Sequence, residues 1–186
     1  MPDRVPDFSE VAAFHGHTCP GLAMGYRVAL AALEWLRTDR APDEEIVAIA
    51  ENRSCAVDAL QYVLGTTLGK GNLLIEDWGK HGYTIYLRAS GDGRRFFFSL
   101  PESLRQLDRP ELVRAILEAP TEDLLAVGPP AEPLSPRAQI LPSVPCAECG
   151  EATMESALTA FEGRRVCRPC LRQLRAEPLD DGDGNG

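Results

Sequence analysis

Tyr83-Thr84-Ile85-Tyr86-Leu87-Arg88-Ala89-Ser90-Gly91-Asp92-Gly93-Arg94-Arg95-Phe96-Phe97-Phe98-Ser99-Leu100 is the stretch on which the fold turns. Residues 83–89 and 94–100 are rich in β-branched and aromatic side chains. The Ser-Gly-Asp-Gly run between them is turn chemistry, so the stretch predicts an antiparallel hairpin. Upstream, Ile46-Val47-Ala48-Ile49-Ala50 inside residues 45–51 predicts a buried strand, and residues 73–77 predict another. Helices are expected at 8–14, capped by Asp7 or Ser9, and at 20–37, opened by Pro20. A third is expected at 55–64, capped by Asn52 or Ser54, and two short ones at 109–118 and 121–127. Gly21 and Gly25 inside the second helix cost it propensity and therefore suggest close approach of another backbone. Helices and strands in mixed order with an antiparallel hairpin make the class α+β.

Working outward, residues 39–43 read as a turn and residues 65–72 as a Gly-rich loop. Residues 128–145 hold many prolines and few apolar residues, which reads as a linker, with a short strand at 138–141. The chain is expected to divide into a core domain over 1–127, the Pro-rich linker over 128–145, a cysteine module over 146–176 and a disordered acidic tail over 177–186. The 186 residues suffice for one domain with a proper core and a small appendage. A formal net charge of −9 is a poor match to nucleic acid, whose phosphates need clustered cations. No apolar run reaches membrane-span length and the N-terminus has no apolar signal core, so the cytoplasm is the expected compartment. Disulfides are not expected there, and six cysteines then point to metal or redox chemistry.

Four of the six form two pairs, Cys146-Ala-Glu-Cys149 and Cys167-Arg-Pro-Cys170, separated by 17 residues. Two residues between cysteines let a tight turn aim both sulfurs at one ion, and four thiolates close a tetrahedral shell. Gly150 supplies the turn of a knuckle, residues 161–166 a hairpin, and residues 171–175 continue the second pair into a helix. That order is a treble-clef zinc finger, with Cys146, Cys149, Cys167 and Cys170 as ligands to a structural zinc. The start of the helix is expected to favour the Cys170 thiolate. Two disulfides or a rubredoxin-like iron are the competing readings.

The other two cysteines sit with the rarest polar residues. His15-Gly16-His17-Thr18-Cys19 precedes Pro20, and Cys55 follows Ser54, so both thiols are expected at helix N-termini, where the helix dipole lowers a thiol's pKa. If those helix starts converge, His15, His17, Cys19 and Cys55 supply nitrogen and sulfur to a second transition metal, zinc, iron or nickel. Cys19 and Cys55 could equally form a redox disulfide or be inert core. Asp58, one turn beyond Cys55, is placed to orient a ligand histidine or to be a surface carboxylate. The chain uses 17 Arg and two Lys, Lys70 and Lys80. Gly65-Thr-Thr-Leu-Gly69-Lys70-Gly71 fails as a phosphate loop, having three residues between its first glycines and Gly71 where Ser or Thr should hold magnesium. Its amides and Lys70 could still hold an anionic group, with Lys70 as acid or electrostatic stabiliser.

Phe14-His-Gly-His-Thr-Cys-Pro-Gly-Leu-Ala-Met-Gly-Tyr-Arg27 resembles the opening motif of the FmdE family. So do Glu51-Asn-Arg-Ser-Cys-Ala-Val-Asp-Ala-Leu-Gln61, Leu64-Gly-Thr-Thr-Leu-Gly-Lys-Gly-Asn-Leu73 and Asp77-Trp-Gly-Lys80. The family takes its name from the FmdE component of formylmethanofuran dehydrogenase, an enzyme of one-carbon metabolism in methanogens. The resemblance covers residues 8–127, and some members carry a C-terminal treble clef, which matches 146–176. It implies an α+β core, often dimeric, with a metal-binding active site at His15, His17, Cys19 and Cys55. Cys19, Cys55, His17 and Lys70 are then the catalytic candidates. Lys70, Asn72 and Lys80 are the substrate-binding candidates, with Asp77 nearby. Thr66 stands where family members often have Cys.

The leading reading is a metalloprotein or metalloenzyme linked to one-carbon, molybdenum or tungsten redox metabolism, a homodimer with a dehydrogenase partner. The second is a non-catalytic accessory that delivers metal or docks through its finger. The third is a nucleic-acid-binding regulator, suggested by Arg164, Arg165, Arg168, Arg172 and Arg175 and opposed by the acidic remainder of the chain.

Overall fold

The computed structural model describes residues 5–38, 40–137 and 141–175. The chain forms two compact units, Met1–Ala138 and Gln139–Gly186. Parts of three expectations, the turn at Asp39, the strand at 138–141 and the acidic tail, lie outside the described residues.

In the first unit, α1 (Phe8–His15) starts after Asp7, whose N–H donates to the Glu10 carboxylate at 2.7 Å. Gly16, at φ 94°, ends it and turns the chain toward His17. Helix α2 (Pro20–Leu36) follows with Pro at its first position, then β1 (Ile46–Ala50), α3 (Ala56–Leu64) and β2 (Leu73–Ile75). The quoted hairpin is β3 (Gly82–Leu87) and β4 (Gly93–Phe98), paired antiparallel from Gly82–Phe97 to Tyr86–Gly93. Helix α4 (Arg109–Glu118) is capped by Asp108, which accepts the Glu111 N–H, and α5 (Thr121–Leu124) runs into β5 (Leu125–Gly128).

The sheet order is β2-β1-β3-β4-β5, with β1 and β2 parallel and the other pairs antiparallel, so the α+β class holds. One sheet face, with Ile46, Ala48, Ala50, Tyr83, Ile85, Phe96 and Phe98, packs in the core with α1 to α4. The other carries Val47, Ile49 and Tyr86, against which Leu74 and Leu134 pack. Both faces of β1 are thus covered, which is why it reads as an unbroken apolar run rather than an alternating one.

Three expectations need correction. Residues 125–127, assigned to a helix, are strand: Leu125 to Gly128 pair with Phe98 to Arg95, and the ladder overrides helical propensity. Residues 129–137, assigned to the linker, lie against the sheet. Tyr86 donates its hydroxyl to the Glu132 carbonyl, and Arg88 Nη1 donates to the Ser135 carbonyl at 2.8 Å. Neither Asn52 nor Ser54 caps α3. Cys55 is its N-cap residue, while Asn52 Oδ1 accepts from the Ser54 N–H (3.0 Å) and hydroxyl (2.6 Å).

Glu51 is 2% exposed and accepts a two-pronged hydrogen bond from Arg95, at 2.5 and 2.7 Å. Removing the cation strands a buried carboxylate. Arg95→Met is expected to cost about 2 kcal/mol, discounted for the partial exposure of the arginine, and to lower the urea midpoint.

In the second unit, β6 (Ser143–Pro145) pairs antiparallel with β7 (Ala152–Met154). The hairpin β8 (Leu158–Phe161) and β9 (Arg164–Cys167) turns on Glu162 and Gly163, both at positive φ, as a tight two-residue turn requires. Helix α6 (Arg168–Leu174) begins directly after Cys167. Among the described residues, no helix is long and apolar enough to cross a membrane.

Candidate metal centres

The core cluster is built by the packing of two helix starts. Cys19 is the N-cap of α2, and its Sγ accepts the Leu22 N–H at 3.4 Å. Cys55 is the N-cap residue of α3. These ends meet because α2 presents glycine to α3. A Cβ on Gly25 would overlap the Ala56 backbone, and one on Gly21 would lie 3.3 Å from the Cys55 Cβ. The close backbone approach expected from Gly21 and Gly25 is therefore present. Gly16 then folds the His17 segment back beside α1, leaving the His15 and His17 rings 4.4 Å apart.

The ligand atoms of His15, His17, Cys19 and Cys55 all lie within 4.8 Å of one another. Four ligands around a tetrahedral zinc-sized ion sit about 3.5 Å apart, so only a small contraction separates this arrangement from a coordination shell. Two imidazoles and two thiols suit zinc, iron or nickel, and not magnesium or calcium. Cys19 is buried, Cys55 and His15 are half-buried and His17 is exposed, so the cluster opens to solvent on the His17 side. Behind it, His15 Nδ1 lies 2.7 Å from Asp58 Oδ2, and Gln61 Nε2 donates to Asp58 Oδ1 at 3.0 Å.

The expected depression of the Cys55 thiol does not occur. Burial pushes its pKa up, with further contributions from a hydrogen bond with, and the charge of, Cys19. Desolvation outweighs the helix start. A cation between the sulfurs would reverse that balance, because it stabilises the thiolates directly.

The other sequence candidates make their hydrogen bonds and ion pairs outside the four-ligand cluster. Lys70 Nζ donates to the carbonyls of Asp43 (2.8 Å) and Gly65 (2.5 Å). Gly65 caps the C-terminus of α3, the end away from Cys55, where a cation meets free carbonyls and the negative pole of the helix. Asn72 is fully buried. Its amide donates to the carbonyls of Asp43 and Ile46 and accepts the Thr67 N–H, so its hydrogen-bonding capacity goes into shaping the loop. Thr66, also buried, donates to the Leu60 carbonyl at that same end of α3. Asp77 pairs with Arg53 at 3.2 Å, and the Lys80 ammonium stands 5.7 Å over the Trp78 ring.

A groove of about 600 Å³ runs beside the cluster, lined by Arg53, Ser54, Asp58, Gln61, Leu68 and Leu74 among others. Of these six, Ser54, as a helix cap, and Asp58 have a role expected from the sequence. The groove forms where α3 passes the edge strand β2, a juxtaposition that no local motif encodes.

In the second unit, the sulfurs of Cys146, Cys149, Cys167 and Cys170 also lie within 4.8 Å of one another. Gly150, at φ 75°, closes the first knuckle by donating to the Cys146 carbonyl. Cys146 Sγ accepts N–H groups of Cys167 (3.2 Å) and Glu148 (3.5 Å). Backbone hydrogen bonds from Cys149, Cys167 and Glu148 lower the Cys146 thiol to about 6. Cys170 departs from expectation: a hydrogen bond with Cys167 and burial among the sulfurs push it well up, outweighing the start of a seven-residue helix. Four thiols this close cannot all ionise without a cation between them, and the knuckle, hairpin and helix fit a small zinc finger. Cys167→Ala is expected to remove one metal per chain and the hydrogen-exchange protection of β8 and β9, since such units fold on their metal.

Comparison with known proteins bears on the family and the fold. The family model described as FmdE, Molybdenum formylmethanofuran dehydrogenase operon, matches residues 14–126. A protein of Archaeoglobus fulgidus, described as a probable S-adenosyl-L-methionine-binding protein, is 30% identical over 173 residues, covering 76% of this chain and 47% of its own length. The chain thus spans about half the length of that curated relative. The crystal structure of a tungsten formylmethanofuran dehydrogenase FmdE-like protein from Syntrophus aciditrophicus shares the fold. Its TM-score is 0.62 at 23% identity, covering 96% of this chain and 100% of that one.

Proposed function

Because the chain belongs to the FmdE family, we propose that it is a metalloprotein of one-carbon or molybdenum/tungsten redox metabolism, with a reactive metal at His15, His17, Cys19 and Cys55 and a structural zinc at the four C-terminal cysteines. The observation that carries the reading is the convergence of four nitrogen and sulfur ligand atoms within 4.8 Å at paired helix starts, buried at Cys19 and open at His17. The family's association with a formylmethanofuran dehydrogenase operon supplies the metabolic context. A transition metal held there would supply Lewis acidity, and a reactant would gain a coordination position only where the exposed His17 gives up its own. Cys19 and Cys55 would hold it from the less exposed side, and His17 borders the solvent-facing side where a small molecule would enter. The description of the Archaeoglobus relative makes S-adenosyl-L-methionine the first small molecule to titrate against the groove beside Asp58. A homodimer, a dehydrogenase partner and a cytoplasmic setting belong to the same proposal. Native mass spectrometry of protein purified without chelator tests it: two metals per chain support the reading, and one metal, retained in the finger alone, removes it.

A second reading is favoured by the separate cysteine unit. The protein would be an accessory that delivers metal or docks on a dehydrogenase through the finger. Transfer of the core metal to a chelator of comparable affinity within minutes supports delivery, whereas retention over hours supports a resident centre.

A further inference from the structure

We infer that Asp58 is the positioning residue of the core centre: it holds His15 as the tautomer protonated on Nδ1, so that Nε2 is the ligating nitrogen. This rests on the core-metal reading above and adds to it the tautomer of one ligand and the group that sets it. His15 Nδ1 and Asp58 Oδ2 are 2.7 Å apart. A carboxylate only accepts hydrogen bonds, so the proton between them resides on Nδ1. The lone pair of the neutral ring is then on Nε2, which faces the Cys19 sulfur at 4.0 Å. The other Asp58 oxygen accepts from Gln61 Nε2 at 3.0 Å, which leaves the carboxylate little freedom to rotate away. Asp58 lies in the first turn of α3, where the helix dipole favours an anion. The backbone of Asp58 is fixed by its N–H bond to the Cys55 carbonyl at 3.2 Å, so one short helical turn carries both a ligand and the residue that orients another ligand. His15 thus has a partner at each ring nitrogen, while the exposed His17 ring stands 4.4 Å from the His15 ring.

A carboxylate that orients and polarises a ligand imidazole typically adds 10- to 100-fold in metal affinity. The test uses the full chain and cobalt(II) as the probe. Long-range nitrogen–proton NMR of the metal-free wild type is expected to show the His15 proton on Nδ1. Asp58→Ala is expected to weaken binding of the second cobalt about 10- to 100-fold and to lose that signature. Asp58→Asn, whose carbonyl still accepts, should recover the tautomer and part of the affinity. Thermal unfolding of the metal-free proteins separates folding defects from this effect, because a purely structural Asp58 would shift the melting temperature and leave the tautomer and the Asn rescue unexplained. Two cobalt ions in the wild type with unchanged affinity in Asp58→Ala, or a His15 proton on Nε2, overturns the role of Asp58 alone. A wild type that takes up cobalt only in the finger overturns the core centre and this inference together.

Discussion

Gly25→Ala is expected to destabilise the first unit by about 3 kcal/mol, the upper end of the usual range for overpacking, and to abolish binding at the core centre. Within a helix, alanine is ordinarily better than glycine by about 1 kcal/mol, so propensity alone predicts stabilisation. The structure reverses the sign. The new methyl group would occupy the space of the Ala56 carbonyl oxygen, Cα and carbonyl carbon, all backbone atoms that cannot rotate aside. Helix α3 must therefore move off α2, and its N-cap, Cys55, moves with it. For a unit of this size the cost corresponds to a fall of roughly 10 °C in melting temperature. Gly69→Ala is the matched control, because a Cβ there meets nothing within 4 Å. Calorimetry of both variants, with metal content measured on the same samples, checks the prediction. Equal melting temperatures for Gly25→Ala and the wild type would remove the close contact from the account.

Cys55→Ser is the second large effect. Serine preserves size and the helix start but is a poor ligand for a soft transition metal. Core metal is expected to fall by more than ~100-fold in affinity, beyond the effect of an orienting neighbour, while the finger keeps its ion. The chain then carries one metal instead of two. Because Cys55 is half-buried and serine is nearly its size, the metal-free fold is expected to tolerate the replacement, and the loss reads on metal content rather than stability. Unchanged metal content in Cys55→Ser would assign the second ion elsewhere.

Both effects were legible in part from residue order. Pro20 and the Cys19–Pro20 junction announce a helix start, and paired glycines in a helix announce a close neighbour. The hairpin turn and the spacing of the finger cysteines are local patterns as well, and they point to the fold class and the second unit. What was not legible is set at long range. The strand Leu125–Gly128 exists because β4 offers a ladder partner, and the Pro-rich run at 129–137 packs because Tyr86 and Arg88 offer it donors. Lys70 drew attention as one of two lysines, in a Gly-rich loop, and Asn72 through the family resemblance, yet within the chain both donate to carbonyls, those of Gly65 and Asp43 and those of Asp43 and Ile46. The thiol pKa values depart from the helix-start expectation because burial and neighbouring sulfur, which sequence does not display, outweigh the dipole at Cys55 and Cys170.

The structure gives the two ligand clusters different characters. The finger presents four sulfurs, and a closed shell of that kind has no room for a reactant. The core cluster mixes two histidines with two cysteines, keeps one ligand exposed and adjoins a groove. That contrast is the physical basis for looking for chemistry in the first unit and for folding or docking in the second.

The most direct test of the central claim is anomalous scattering from crystals of protein purified without chelator, measured on both sides of the zinc, iron and nickel edges. The account predicts two peaks per chain, one among the sulfurs of Cys146, Cys149, Cys167 and Cys170 and one between His15, His17, Cys19 and Cys55. A peak at the finger with none in the core would contradict it.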